Sequence, residues 1–90
     1  MGIEHECYQI LEELDKITQV AKLPEDKKSF TSLTRKLYKN LFTLPQEKDS
    51  LFKLYEFCIQ SACAVLMVPE ERDKRYKEFL ERKSKIPKPN

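Results

Sequence analysis

Glycine is nearly missing from this chain. Gly2 stands alone among 90 residues, where about six glycines would be average. Glycine supplies the positive-φ turns of tight hairpins and the close backbone approach of phosphate-binding loops. Its scarcity excludes P-loops, dinucleotide fingerprints and most two-residue β-hairpins. Histidine is equally scarce: His5 is the only one, near the N-terminus and on a helix face away from most of the apolar stripe. Catalysis by a nucleophile or base needs an orienting partner in a pocket, and no such constellation is legible. The chain reads as non-enzymatic, with no catalytic residues and no cofactor.

The three cysteines, Cys7, Cys58 and Cys63, are odd in number and irregular in spacing. They predict free thiols of an intracellular protein, cytoplasmic or nuclear. Cys58 and Cys63 point about 140° apart on a helix, and His5 and Cys7 diverge in the same way. Small core residues are therefore expected, with no metal site. No apolar run reaches the roughly 20 residues that a bilayer requires. The longest, Leu54 to Val68, is interrupted by Glu56, Gln60 and Ser61 and predicts a buried helix without a membrane span.

What the chain does have is charge in both signs, 36% of all residues for a net of only +2. The charge alternates by segment: −3 over 1–22, +3 over 23–44, −1 over 45–68 and +3 over 69–90. Apolar residues at Ile3, Cys7, Ile10, Leu14, Ile17 and Ala21 recur at intervals of four and three, the mark of a helix with one buried stripe. Phe30, Leu33, Leu37, Leu41 and Leu44 repeat the pattern. From Leu51 to Val68 the apolar residues nearly encircle the helix, which predicts a central element. The last helix has only Tyr76, Phe79 and Leu80 as anchors among charged neighbours. Leu23-Pro24-Glu25-Asp26, Leu44-Pro45-Gln46-Glu47 and Val68-Pro69-Glu70-Glu71 punctuate the chain. Proline suits a first helical turn, and acids after it meet the positive end of the helix dipole.

The expectation is a single all-α domain over residues 1–83, a small antiparallel four-helix bundle with helices at about 3–22, 25–43, 46–67 and 69–83. A flexible Lys/Pro-rich tail is expected over 84–90. The expected function is a non-catalytic protein–protein interaction module of a larger protein, with a groove between helices receiving a partner helix or short peptide. Tyr38, Phe42, Phe52, Phe57, Tyr76 and Phe79 exceed what narrow stripes need and are the candidate contacts.

Two further readings stand beside this one. A nucleic-acid module would gather Lys28, Arg35, Lys36 and Lys39 with Arg75 or Arg82 in one acid-free patch; interleaved acids argue against it. A self-associating domain would bury the surplus aromatics against a second copy.

Leu51-Phe52-Lys53-Leu54-Tyr55, followed by Ile59, resembles the middle helix of the microtubule-interacting-and-trafficking (MIT) domain, a three-helix bundle. Glu78-Phe79-Leu80-Glu81-Arg82 resembles its third helix. The likeness covers residues 49–86 and departs from the family at Cys58, where alanine is usual, and in the extra N-terminal helix. It implies a groove beside the last helix for a helical or extended motif of an ESCRT-type partner, with Arg75, Lys77 and Arg82 meeting its acids. Ser84-Lys85-Ile86-Pro87 also resembles the Ser-x-Ile-Pro pattern of ligands for microtubule end-binding proteins, in which Ile and Pro enter an apolar pocket.

Overall fold

A computed structural model of the chain describes residues 2–20 and 24–89. Four helices account for most of it: α1 (Ile3–Val20), α2 (Pro24–Leu41), α3 (Asp49–Met67) and α4 (Arg72–Ser84). The expected continuation of the first helix through Ala21 and Lys22, Leu23 of the first proline turn, and Asn90 lie outside the described residues. No strand occurs among the described residues. The fold is an all-α four-helix bundle.

The proline turns act as the spacing suggests, with one refinement. Pro24 opens α2 directly, whereas Gln46–Lys48 and Pro69–Glu71 are single 3₁₀ turns that precede α3 and α4. Lys48 N–H donates to the Pro45 carbonyl at 2.9 Å, and Glu71 N–H to Val68 at 3.0 Å. These i→i+3 bonds tighten each entry, so α3 and α4 begin three residues later than expected.

Neighbours run antiparallel. The start of α1 meets the α2–α3 connection, where Lys48 pairs with Glu4 at 3.0 Å on the surface. The end of α1 meets the start of α4. No basic residue closes the last turn of α1, and Arg72 supplies a cation from α4: its guanidinium donates to the carbonyls of Thr18, at 3.1 Å, and Gln19. Carbonyls near a helix C-terminus are favourable acceptors for a cation.

The core combines Cys7, Leu11 and Leu14 of α1, Leu37 and Leu41 of α2, Tyr55, Cys58 and Ala62 of α3, and Phe79 of α4, each at most 1% exposed. Each fully buried aliphatic or aromatic side chain contributes roughly 1.5–3 kcal/mol of transfer free energy. α3 packs against all three other helices, as its composition predicts. It does not bury its whole circumference, however: Phe57 and Met67 are exposed. By length and composition Gln46–Met67 is apolar enough to cross a membrane; in this fold α3 contributes the buried Tyr55, Cys58, Ile59, Ala62 and Val65 to the bundle.

The C-terminal segment corrects an expectation. Residue 86 belongs to the stretch expected to be a flexible Lys/Pro-rich tail, yet Ile86 is 4% exposed and joins the core. Lys85 and Ile86 N–H groups donate back to Arg82 and Lys83 carbonyls at 3.1 and 3.0 Å, which curls the chain inward after α4. Pro87 then disfavours further helix. With Ile86 in the core, the Ser-x-Ile-Pro pattern is not presented for docking in this conformation.

Candidate functional site

The structure divides the predicted contact residues into three places. Tyr76 and Phe79 face inward from α4, their rings stacked at 6.1 Å. Phe79, predicted to be exposed, is fully buried, because α4 has so few apolar residues that its largest must close the core. Tyr76 donates its hydroxyl to Asp15 at 2.6 Å. Burial first, then that bond, pushes the Tyr76 phenol up to about 12. Asp15 also accepts from Lys83 Nζ at 2.9 Å and Gln19 at 3.2 Å. Burial alone would raise the Asp15 carboxyl; the bonds from Tyr76, Lys83 and Gln19, with the charge of Lys83, outweigh it and hold it below the ordinary aspartate value. This cluster ties α1 to α4.

The second place is the outer α3–α4 face. The Arg82 guanidinium lies 5.5 Å from the centre of the Phe57 ring and donates to the Phe57 carbonyl at 3.1 Å and to Ser61 Oγ at 2.8 Å. Arg75 is clamped by Glu71 at 3.0 Å and Glu78 at 3.3 Å, and Lys77 is exposed. Arg75 and Arg82 thus have local partners and do not join Lys28, Arg35, Lys36 and Lys39 in the acid-free patch that a nucleic-acid module requires.

The third place is the seam between α2 and α3, whose outer side we refer to as the α2/α3 groove. At one end Tyr38, Phe42 and Phe52 form a ring cluster with centroids 5.6–6.5 Å apart, and Phe42 is 74% exposed. At the other, Phe30, Cys63, Leu66, Met67 and Pro69 line an apolar hollow of about 450 Å³ together with Lys27 and Thr31. Met67 is 79% exposed. The two ends lie on one line because α2 and α3 run antiparallel: residues 30, 34, 38 and 42 follow one another at four-residue steps on α2. Between them the Thr34 hydroxyl is buried without a hydrogen-bond partner.

A second hollow, about 460 Å³, lies on the outer side of α2 and is lined by Lys27, Lys28, Thr31, Ser32 and Arg35. It shares Lys27 and Thr31 with the apolar one, so a basic shelf borders the apolar hollow. Sequence reasoning placed the shelf lysines but missed Leu66, Met67 and Cys63 as groove walls. Their signal was the surplus of apolar residues around the third helix.

Burial raises all three thiols, Cys7 to about 11 and Cys58 to about 12, and a protonated thiol is a poor nucleophile and ligand. His5 exchanges a hydrogen bond with Gln9 at 3.1 Å on the surface. Among the described residues no three His, Cys, Asp or Glu side chains converge on a common point.

Comparison with protein-family models, curated proteins and solved structures found no match to this chain.

Proposed function

We propose that this chain is a non-catalytic interaction module of an intracellular protein, and that the α2/α3 groove receives a helix or short peptide of another protein. One observation carries the reading. Phe42 and Met67, the two most exposed large apolar residues described, sit at opposite ends of the α2/α3 seam, Phe42 in the ring cluster and Met67 on the apolar hollow. Scattered exposed apolar residues need no explanation, whereas a contiguous row beside a recess is the usual form of a docking surface. The groove beside α4 that the MIT resemblance implies is the weaker candidate. Phe79 is sealed in the core, and Tyr76, Arg75 and Arg82 already have intramolecular partners.

Capture from a cell extract on immobilised protein tests the reading. Phe42→Gln with Met67→Gln removes the apolar ends of the groove, and Leu80→Gln alters an exposed site on α4. Both variants are expected to keep wild-type helicity and a cooperative transition, with melting temperatures lowered by only about 5 °C. The proteins retained by the wild type should be lost from the groove variant and kept by Leu80→Gln. An unchanged set on the groove variant refutes the groove.

A further inference from the structure

We infer that the occupant of the α2/α3 groove is an amphipathic helix of a different protein, carrying acidic residues along the flank that faces α2. This rests on the groove reading above and adds the chemistry of the partner.

The distance between the apolar hollow and the ring cluster sets the length of the occupant. From Phe30 to Phe42 the α2 wall extends about 18 Å at 1.5 Å per residue. A helix of three to four turns fills that span, with apolar anchors at i, i+3 or i+4, i+7 and i+11. Side chains of its apolar face would meet Phe30, Leu66 and Met67 at one end and Tyr38, Phe42 and Phe52 at the other.

The charge beside the groove sets its flank. Lys27, Lys28, Arg35, Lys36 and Lys39 are exposed, and among the described residues none of them is in an ion pair. Because the basic hollow and the apolar one share Lys27 and Thr31, a helix seated in the groove lies directly against the shelf. The opposite wall is different: Glu56 is half-buried near Tyr38, and Asp49 pairs with Lys53 at 3.5 Å. Acids on the α2 flank therefore meet complementary charge, and a basic flank meets repulsion.

The same observations disfavour other occupants. A second copy docked through this face would make an isologous contact, with the same patch on both sides, and would set the basic shelf against itself. A nucleic acid would satisfy the shelf and leave the apolar hollow uncovered.

Three 18-residue helical peptides with one common Leu/Phe stripe, flanked by Glu, Gln or Lys, provide the probe. Their affinities are read by fluorescence anisotropy at low and high salt. Wild type should prefer the Glu peptide over the Lys peptide by about tenfold at low salt, shrinking at high salt through screening. Lys28→Glu, Arg35→Glu and Lys39→Glu together should invert the order, and Phe42→Gln with Met67→Gln should weaken all three.

Equal affinities that the groove variant abolishes would sink the acidic partner and leave the groove reading intact. Binding that survives in the groove variant, or no binding of any peptide, overturns both. Tighter binding to a DNA duplex or to anionic phospholipid vesicles than to the Glu peptide assigns the shelf to a polyanion instead. Sedimentation showing self-association that the groove variant abolishes assigns the face to a second copy. Either result overturns the proposal.

Discussion

Phe79→Ala lowers the unfolding free energy by about 4 kcal/mol, whereas Phe42→Ala lowers it by about 1 kcal/mol or less. The residue type is the same and the setting is opposite. Phe79 is fully buried, stacks on Tyr76 and belongs to the central cluster. Its removal loses the transfer free energy of the ring and leaves a cavity that the helices only partly close. Phe42 is 74% exposed and loses only ring contacts with Tyr38 and Phe52, a pairing worth roughly 0.5–1.5 kcal/mol.

A domain of this size has roughly 5–13 kcal/mol in total, so Phe79→Ala takes a large share, about 20 °C in melting temperature. Urea midpoints at constant m-value make the comparison. Similar losses at the two positions would mean that the groove aromatics are core residues and not a surface for a partner.

Asp15→Ala is the second large effect, a loss of about 3 kcal/mol at neutral pH. Asp15 is 8% exposed and holds the Tyr76 hydroxyl and the Lys83 ammonium, whose side chain is 18% exposed. Removing one member of a buried pair strands the other, which costs roughly 3–5 kcal/mol when burial is complete. Partial solvent access to Lys83 places this pair at the lower end.

The pH dependence follows from the direction of the shift. The folded-state pKa of Asp15 is depressed, so its contribution is whole above the unfolded value of about 4. That contribution fades as pH falls through the lower folded value. The Lys83 ammonium is shifted the other way: burial alone would lower it, and the bond and charge of Asp15 outweigh burial and raise it. Its contribution is present below the unfolded lysine value, about 10.4, and fades above it. The stability gap between wild type and Asp15→Asn, which loses the ion pair but keeps an acceptor for Tyr76, should therefore be widest near neutrality. Denaturant titrations should show it narrowing below pH 4. A gap that does not change between pH 7 and pH 2 would mean the carboxylate charge contributes nothing.

The fold was legible where periodicity is strong. The intervals of four and three along α1 place Cys7, Ile10 and Leu14 in the core, and they are buried. The proline–acid signals locate the helix junctions at Pro45 and Pro69, though not the 3₁₀ turns that follow. Ile86 escaped because a single apolar residue among Lys and Pro has no period; only the inward curl after α4 buries it. Nothing in the spacing of α1 singles out Asp15. Its burial depends on α4 crossing its face of α1, and the seven-residue step from Tyr76 to Lys83 was the available signal.

Sorting the aromatics was beyond the pattern for the same reason. Phe42, Phe57 and Phe79 each sit in a helical stripe or beside one. Which is exposed depends on how neighbouring helices pack, and at one end of the α2/α3 seam the packing leaves an apolar hollow. Met67 and Cys63 changed role with them, from apparent filling of a central helix to walls of the groove.

The central claim is that partners enter between α2 and α3. Titrating ¹⁵N-labelled protein with the Glu-flanked peptide and following amide chemical shifts tests it most directly. The account predicts that the largest changes fall at Thr31, Tyr38, Phe42, Phe52, Cys63 and Met67, with Tyr76 to Lys83 nearly still. Changes centred on α4, or on the outer face around Phe57 and Arg82, would contradict it.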